Sequence, residues 1–279
     1  MAPLVSRVLV ALVGLPLVLL IVWAGGWWLF ALAGVAAVLA LHEYALMIRS
    51  LRPVILAAYA GALLSLVGAH LGGLEWTVAG FLSTMVLAFL LHWIATTRQS
   101  ATVAIASTVL GAGWVGLCLA HLLLLRQIPS QGELATFTVL LAVWAGDIGA
   151  FFAGRLIGGP KLAPRISPKK TWAGLIGAMV SAGLVGATAA LVGVIADVSV
   201  PGAPSAAALA AAGAALAVVA QAGDLGESWV KRRFGAKDSS GLIPGHGGLL
   251  DRVDGLLAAA VALAAWQWLS SGGGVLSWR

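Results

Sequence analysis

The chain alternates between long apolar runs and short polar segments, and the apolar runs set its architecture. These runs are rich in Ala, Leu and Val and lack the strict polar–apolar alternation of a half-buried strand. A helix of about 20 residues crosses the hydrocarbon layer of a bilayer. We therefore predict an all-α polytopic membrane helix bundle with about nine transmembrane helices. The predicted spans are 8–24, 27–47, 54–72, 74–94, 103–125, 134–157, 172–195, 205–222 and 249–269.

Composition excludes most soluble classes of protein. The chain is 61% hydrophobic and 9% charged, whereas a soluble domain carries about 25% charged residues. A soluble enzyme, a nucleic-acid binder and a disordered chain are therefore not expected. The first run could be mistaken for a secretory signal, but it has no clear small-residue cleavage site and leads directly into the second run. We interpret it as a membrane helix.

The positive charges indicate an orientation. With nine spans and a cytoplasmic N-terminus, every Lys and Arg except Arg126 and Arg279 falls on the inner side. Because cytoplasmic loops of membrane proteins are enriched in Lys and Arg, this asymmetry predicts a cytoplasmic N-terminus and an external C-terminus. It also explains the net charge of +6 without nucleic acid.

Two predicted inner loops interrupt the apolar pattern. The first contains WAGDIGAFFAGRLIGGPKLAPRISPKKTWAG, and the second contains QAGDLGESWVKRRFGAKDSSGLIPGHGGLLDRVDG. Within the first, Asp147 lies inside a predicted span, where a carboxylate is costly unless it meets a cation or a water-filled cavity. A structural ion pair with Arg155 is the alternative to a functional role.

Four more carboxylates surround the second loop. Asp224 and Glu227 share a helical face at i, i+3 spacing, and Asp251 and Asp254 open the last span with the same spacing. Acids at a helix N-terminus can be purely structural, but that explanation does not fit the pair at the C-terminal end of a span. Together with Asp147, these acids suit a hard cation such as Mg²⁺.

The basic and glycine-rich segments suggest a phosphate. The segments KRRFGAK and GPKLAPRISPKK could bind anionic lipid, but their interleaved acids and glycines also suit a polyphosphate beside a metal. In PGHGGLLDRVDG, Gly247 and Gly248 follow His246 and precede a helix N-terminus, where free N–H groups favour an anion. Thr171 is expected to cap the following helix and, with Ser167, to contact phosphate. The other histidines are interpreted as structural. Glu43 is a secondary candidate that would support the residues of the site.

These residues resemble a known family. The segment from Ser228 to Asp254 is similar to the signature of phosphatidate cytidylyltransferases, and the resemblance extends across roughly residues 140–260. Ala173 departs from the family pattern, which usually has a polar Glu or Gln there. The fixed positions met here are Ser228, Lys231, Arg232, Lys237, Asp238, Pro244, His246, Gly247, Gly248, Asp251, Arg252 and Asp254.

The resemblance implies the reaction of CTP with phosphatidate to give CDP-diacylglycerol and pyrophosphate, with Mg²⁺ as cofactor. It implies metal ligands at Asp224 and Asp251, with Asp147 and Asp254 as further ligands or supports. The residues implied to be catalytic are Asp224, Lys237, His246, Asp251 and Arg252. Those implied to bind substrate are Ser167, Lys169, Lys170, Thr171, Ser228, Lys231, Arg232, Gly247 and Gly248.

This interpretation divides the chain into a scaffold over residues 1–133 and a catalytic region over 134–279. It implies a bacterial-type inner membrane protein with its active site facing the cytoplasm, and a homodimer is plausible. Two other functions stay open. One is another membrane CTP-dependent transferase or kinase acting on a lipid, and the other is a transporter of a phosphorylated substrate. A structural lipid-binding protein would leave the inner acids unexplained.

Overall fold

A computed structural model of the chain describes residues 2–95, 100–129, 131–195, 205–243 and 247–270. Most of the described residues are helical. The helices are α1 Ala2–Ala24, α2 Gly26–Met47, α3 Ile55–Leu71, α4 Gly73–Ile94, α5 Ala101–Gly111, α6 Cys118–Arg126, α7 Gly132–Leu156, α8 Trp172–Ile195, α9 Ala206–Arg233 and α10 Leu250–Ser270. A 3₁₀ turn over Arg49–Leu51 follows α2, and a π-helical turn over Ala112–Leu117 joins α5 to α6.

The helices support a polytopic membrane protein. Within the described ranges, six helical segments are long and apolar enough to cross a membrane: Gly26–Met47, Gly73–Ile94, Ala101–Arg126, Gly132–Leu156, Trp172–Val192 and Ala206–Arg233. Leu12–Ala24 and Ile55–Leu71 are shorter apolar helices. Large apolar side chains such as Trp93 and Leu156 are exposed on the helices, as expected where helix faces meet lipid rather than water. The all-α membrane fold is thus confirmed, while the count of nine spans and the orientation stay predictions.

The described residues divide into two compact units. The first comprises the residues up to Leu124 together with Arg233–Val253, and the second comprises Leu125–Arg232 together with Asp254–Ser270. In the first unit α3 packs against α4 at very short range. A Cβ atom at Gly68 would lie 2.3 Å from the Trp76 carbonyl oxygen. Glycine therefore allows close helix packing here, as is common in membrane bundles.

In the second unit a core of small side chains joins α7, α8 and α9. Its buried members are Ala142, Ala178, Ala182 and Ala217. A Cβ at Gly213 would lie 2.3 Å from the Ala182 carbonyl oxygen. The Ala- and Gly-rich run in α9 is therefore a tightly packed helix, as its composition predicts.

The first polar loop contains regular structure that the sequence analysis did not predict. Strand β1, Lys161–Ala163, pairs antiparallel with β2, Ser167–Thr171, in a two-stranded sheet. These strands are short and highly charged, so they lack the apolar alternation by which strands are found in a sequence. The predicted helix cap is confirmed, because the Gly174 N–H donates to Thr171 Oγ1 over 3.1 Å at the start of α8.

Candidate functional site

Three carboxylates meet in the second unit. One oxygen from each of Asp224, Glu227 and Asp254 lies within 4.8 Å of the others, and we call this set the carboxylate cluster. Asp224 and Glu227 lie one turn apart on α9, and Asp254 comes from the first turns of α10. Glu227 is fully buried. Three like charges so close together repel each other unless cations compensate them.

Glycines explain how two of these carboxylates come together. Gly223 directly precedes Asp224, and a Cβ there would lie 2.8 Å from the Asp254 carbonyl oxygen. On the facing helix, a Cβ at Gly255 would lie 3.3 Å from the Ala220 carbonyl oxygen. The backbones of α9 and α10 therefore touch at the residues next to the cluster. Helix packing, rather than any attraction between the side chains, fixes the separation of Asp224 and Asp254.

Two lysines supply compensating charge. Lys170 Nζ lies 2.6 Å from Asp224 Oδ2, and Lys231 forms an ion pair with Glu227 one turn earlier on α9. Asp224 also accepts a hydrogen bond from the Ser228 hydroxyl over 3.3 Å. The cluster thus contains three carboxylates and two ammonium groups, which leaves it net negative when all five are charged.

The β1–β2 hairpin positions one of these lysines, Lys170. Neighbouring side chains on a strand point to opposite faces, so Lys170 reaches Asp224 whereas Lys169 is exposed. The Arg232 Nε–H donates to the Ile166 carbonyl oxygen over 3.4 Å, which ties the end of α9 to the hairpin turn. Ser167 is half-buried at the start of β2.

Asp147 belongs to the same unit as the cluster. It lies on α7 and is close enough to Asp254 for the two carboxylates to repel each other. Arg155, the alternative structural partner, lies over the ring of Phe151 with its guanidinium carbon 5.9 Å from the ring centroid.

The donor set of the carboxylate cluster fits a divalent cation. Carboxylate oxygens are the ligands that Mg²⁺ and Ca²⁺ prefer, and Mg²⁺ is commonly held by one or two carboxylates plus phosphate oxygens. Three such oxygens within 4.8 Å of one another can face a single ion. Adjacent lysines would add positive charge for an anionic ligand of that ion.

The part of the second polar loop that belongs to the first unit is held by two carboxylates, Asp251 at the start of α10 and Glu43 on α2. Asp251 Oδ2 accepts hydrogen bonds from the N–H groups of Ser239 and Gly248, both over 3.0 Å. The N–H groups of Leu249 and Leu250 donate to Glu43. The sequence predicts that N–H groups at this helix start bind a phosphate. The N–H groups of residues 248, 249 and 250 instead bind the protein's own anions.

The two glycines of this loop are needed for different structural reasons. Gly247 has φ +84°, a left-handed conformation that L side chains rarely adopt. Gly248 is buried, and a Cβ there would lie 1.8 Å from Ser239 Oγ and 2.6 Å from Glu43 Oε2. Gly248 thus allows close approach to Glu43 and Ser239, whereas close approach to a ligand stays a prediction.

Other predicted residues are less constrained. Lys237 and Arg252 are exposed. His246, together with Pro244, lies outside the described residues.

Two carboxylates have a larger place in the structure than the sequence analysis gave them. The sequence groups Glu227 with the acids that suit Mg²⁺, but Glu227 is not among the specific metal ligands that the resemblance implies, although the i, i+3 pattern places it on the same helical face as Asp224. Glu43 was only a secondary candidate. Its contacts with residues near position 250 are made across 206 and 207 positions of sequence, which no local pattern could have revealed.

Comparison with known proteins agrees with the motif resemblance. A family model described as "Cytidylyltransferase family" matches residues 5–269. A phosphatidate cytidylyltransferase of Brucella suis is 47% identical over 160 residues, which cover 55% of this chain and 56% of that protein. The protein of the same name from Haemophilus influenzae is 40% identical over 131 residues, which cover 47% of this chain and 44% of that protein. That from Pseudomonas aeruginosa is 36% identical over 165 residues, covering 59% and 56%.

The chain therefore spans about half the length of the curated relatives it matches. The family model, in contrast, covers nearly the whole chain. On that match, the chain belongs to the cytidylyltransferase family.

Proposed function

We propose that this chain is a phosphatidate cytidylyltransferase, which transfers the cytidylyl group of CTP to phosphatidate. The observation that carries the proposal is the carboxylate cluster with its two lysines, in a membrane chain of this family. Relatives that are 36–47% identical over the aligned segments carry that name. A divalent ion held by such a cluster, together with the lysines, would suit a substrate that is itself a polyanion.

The reaction needs charge neutralisation more than proton transfer. A phosphate oxygen of phosphatidate forms a bond to the α-phosphorus of CTP, and the bond from that phosphorus to the bridging oxygen breaks. Pyrophosphate leaves with the electron pair. The attacking phosphate is already an anion near neutral pH, so no strong general base is required. The barrier lies in bringing two polyanions together, which positioned cations lower.

Mg²⁺ is the proposed cofactor, and Asp224, Glu227 and Asp254 would hold it. When bound, the ion would polarise phosphate oxygens and offset their charge. Lys170 and Lys231 lie against the same carboxylates and would stabilise the negative charge that develops on the leaving phosphates. The motif resemblance makes Asp251 a principal metal ligand beside Asp224 and makes Asp147 a further ligand or support, and both assignments stay predictions.

The remaining assignments rest on the motif resemblance. Lys237, His246 and Arg252 are proposed to contact the triphosphate or the lipid headgroup. The other proposed substrate contacts are Ser167, Lys169, Thr171, Ser228, Arg232, Gly247 and Gly248. We also propose nine spans, a cytoplasmic active site in the inner membrane, a scaffold over 1–133 with a catalytic region over 134–279, and a possible homodimer.

The test is a reaction with the purified full-length chain in detergent. It receives Mg²⁺, phosphatidate and CTP labelled in the α-phosphate, and we expect labelled CDP-diacylglycerol with an equal amount of unlabelled pyrophosphate, both abolished by a chelator. In a parallel reaction with CTP labelled in the γ-phosphate, label in the lipid would instead show a lipid kinase. Substrate flux into vesicles without consumption of CTP would show a transporter. Well-folded protein that forms neither product would overturn the proposal.

A further inference from the structure

Glu43 connects α2 to the second polar loop of the first unit. It is buried, and its two oxygens share four donors evenly. Oε1 accepts from the Ser240 hydroxyl over 2.6 Å and the Leu249 N–H over 2.9 Å. Oε2 accepts from the Ser239 hydroxyl over 3.0 Å and the Leu250 N–H over 2.8 Å. One side chain thus fixes both the loop and the start of α10.

The neighbouring residue holds Glu43 on a rigid support. Tyr44 is buried, and its hydroxyl donates to the Ser107 carbonyl oxygen over 2.9 Å. Its ring packs so closely on α5 that a Cβ at Gly111 would lie 2.5 Å from it. This part of α2 is therefore tied to α5, so Glu43 has little freedom to follow a moving loop.

Ser239 transmits the position of Glu43 to Asp251. The Ser239 hydroxyl donates to Glu43 and its backbone N–H donates to Asp251 Oδ2, so one residue contacts both carboxylates. Gly248 lies against the same groups and leaves no room for a side chain. A change at Glu43 would therefore displace Asp251 without touching it.

This arrangement exceeds what a helix start requires. A nearby Ser, Thr, Asp or Asn can satisfy the first N–H groups of a helix, and Asp251 itself accepts the N–H of Gly248 just before α10. A buried carboxylate on a membrane helix costs free energy, and here it comes from a helix 207 residues away in the sequence. Such a long-range contact fixes the loop against α2, which a local cap cannot do.

We infer that Glu43 is a positioning residue for the proposed cytidylyl transfer: it holds residues 239, 240, 249 and 250 so that Asp251 and the adjoining Arg252 keep their working geometry. This inference rests on the proposed function. Small displacements of groups that orient a substrate can cost about 10²-fold in rate, so the effect should appear in catalysis as well as in stability.

The test compares Glu43→Gln with Glu133→Gln in the full-length chain. Gln has the size of Glu, but its NH₂ group would face donors and lose half of the bonds. Glu133 undergoes the same chemical change at an exposed side chain paired with Arg126. For Glu43→Gln we expect kcat to fall about 10²-fold and the KM for CTP to rise, and Glu133→Gln should match the wild type.

A second readout does not depend on activity. Lys237 is exposed next to the loop, and trypsin cleavage after it reports how firmly the loop is held. We expect faster cleavage at this site in Glu43→Gln and unchanged cleavage in Glu133→Gln. If the wild type makes no CDP-lipid, the proposed function fails while cleavage still decides whether Glu43 holds the loop.

Two results would overturn the inference. One is Glu43→Gln with wild-type cleavage after Lys237. The other is a lower melting temperature with unchanged KM and unchanged kcat per folded molecule, which would make Glu43 merely structural. If Glu43→Gln does not fold, the Ser239→Ala/Ser240→Ala double variant removes only the two hydroxyl donors. In this double variant kcat should fall about tenfold and cleavage after Lys237 should be faster. Wild-type kinetics in the double variant would refute the inference.

Discussion

The two units hold their carboxylates in opposite ways. In the cluster of the second unit, Asp224 and Glu227 are paired with lysines and lie close to a third carboxylate. In the first unit, Glu43 and Asp251 accept bonds from neutral backbone N–H and hydroxyl groups. The first arrangement brings charged groups of both signs close together with one excess negative charge, and in the second the carboxylates accept bonds from neutral donors.

The carboxylate cluster is thus arranged to bind a cation, whereas Glu43 and Asp251 are arranged to hold the loop in place. Crowded carboxylates paired with lysines are stabilised when a divalent ion joins them, because the ion reduces their repulsion. Carboxylates whose oxygens already accept hydrogen bonds from the backbone would have to lose those bonds to bind an ion. The comparison therefore predicts different consequences for substitutions in the two regions.

The largest effect is expected from Asp224→Asn. It removes a proposed metal ligand, and turnover should fall by about 10³-fold or more, because the metal contributes several kcal/mol to the transition state. Asp224 is partly exposed, so the fold should persist. In the wild type, Mg²⁺ at 100 times its Kd would add about 2.7 kcal/mol of stability, and the variant should lose most of that thermal shift. Retained turnover in the variant would remove Asp224 from the metal site.

A smaller effect, on stability, is expected from Lys231→Met. It leaves the fully buried Glu227 without its ion-pair partner, which should destabilise the fold by about 3–5 kcal/mol. Replacing both partners with Met should cost much less, because neither charge is then buried. Lys161→Met, at an exposed position, is the control and should stay within about 0.5 kcal/mol. Denaturant unfolding in detergent measures all three, and equal losses in the single and double variants would contradict the pairing.

The smallest effect is expected in the first unit, where Glu43 and Asp251 accept hydrogen bonds from neutral donors. Gly248→Ala would place a Cβ against Ser239 and Glu43 and should cost about 1–3 kcal/mol. Gly241→Ala lies in the same loop, where a Cβ meets nothing within 4 Å. That change should be neutral or raise stability by up to about 1 kcal/mol by restricting the unfolded chain. Equal shifts of melting temperature in the two variants would show that the side chains of Glu43 and Ser239 can move aside at little cost.

The sequence predicted what depends on local pattern. Continuous apolar runs were sufficient to find the helices, and i, i+3 spacing was sufficient to pair Asp224 with Glu227, because both follow from helical geometry. Thr171 was recognisable as a cap because a hydroxyl residue preceded an apolar run. The family resemblance drew attention to the same two polar loops.

The rest depends on contacts between distant residues. The β1–β2 hairpin was missed because its strands are charged and depend on pairing with each other. Lys170 could not be distinguished from Lys169 until the strand placed them on opposite faces. Glu43 and Ser239 are separated by 196 positions, and the start of α10 looked ready for a phosphate because nothing local showed that Glu43 reaches it.

The contact of α9 with α10 at Gly223 and Gly255 carries a last consequence. Glycine in the middle of a helix costs about 1 kcal/mol relative to alanine, so this crossing weakens both helices. Engineering for heat tolerance would normally replace such glycines, but added methyl groups would push Asp224 and Asp254 apart. The protein thus keeps a locally weaker pair of helices to preserve the spacing of its acids, and stabilising mutations should be sought elsewhere in the chain.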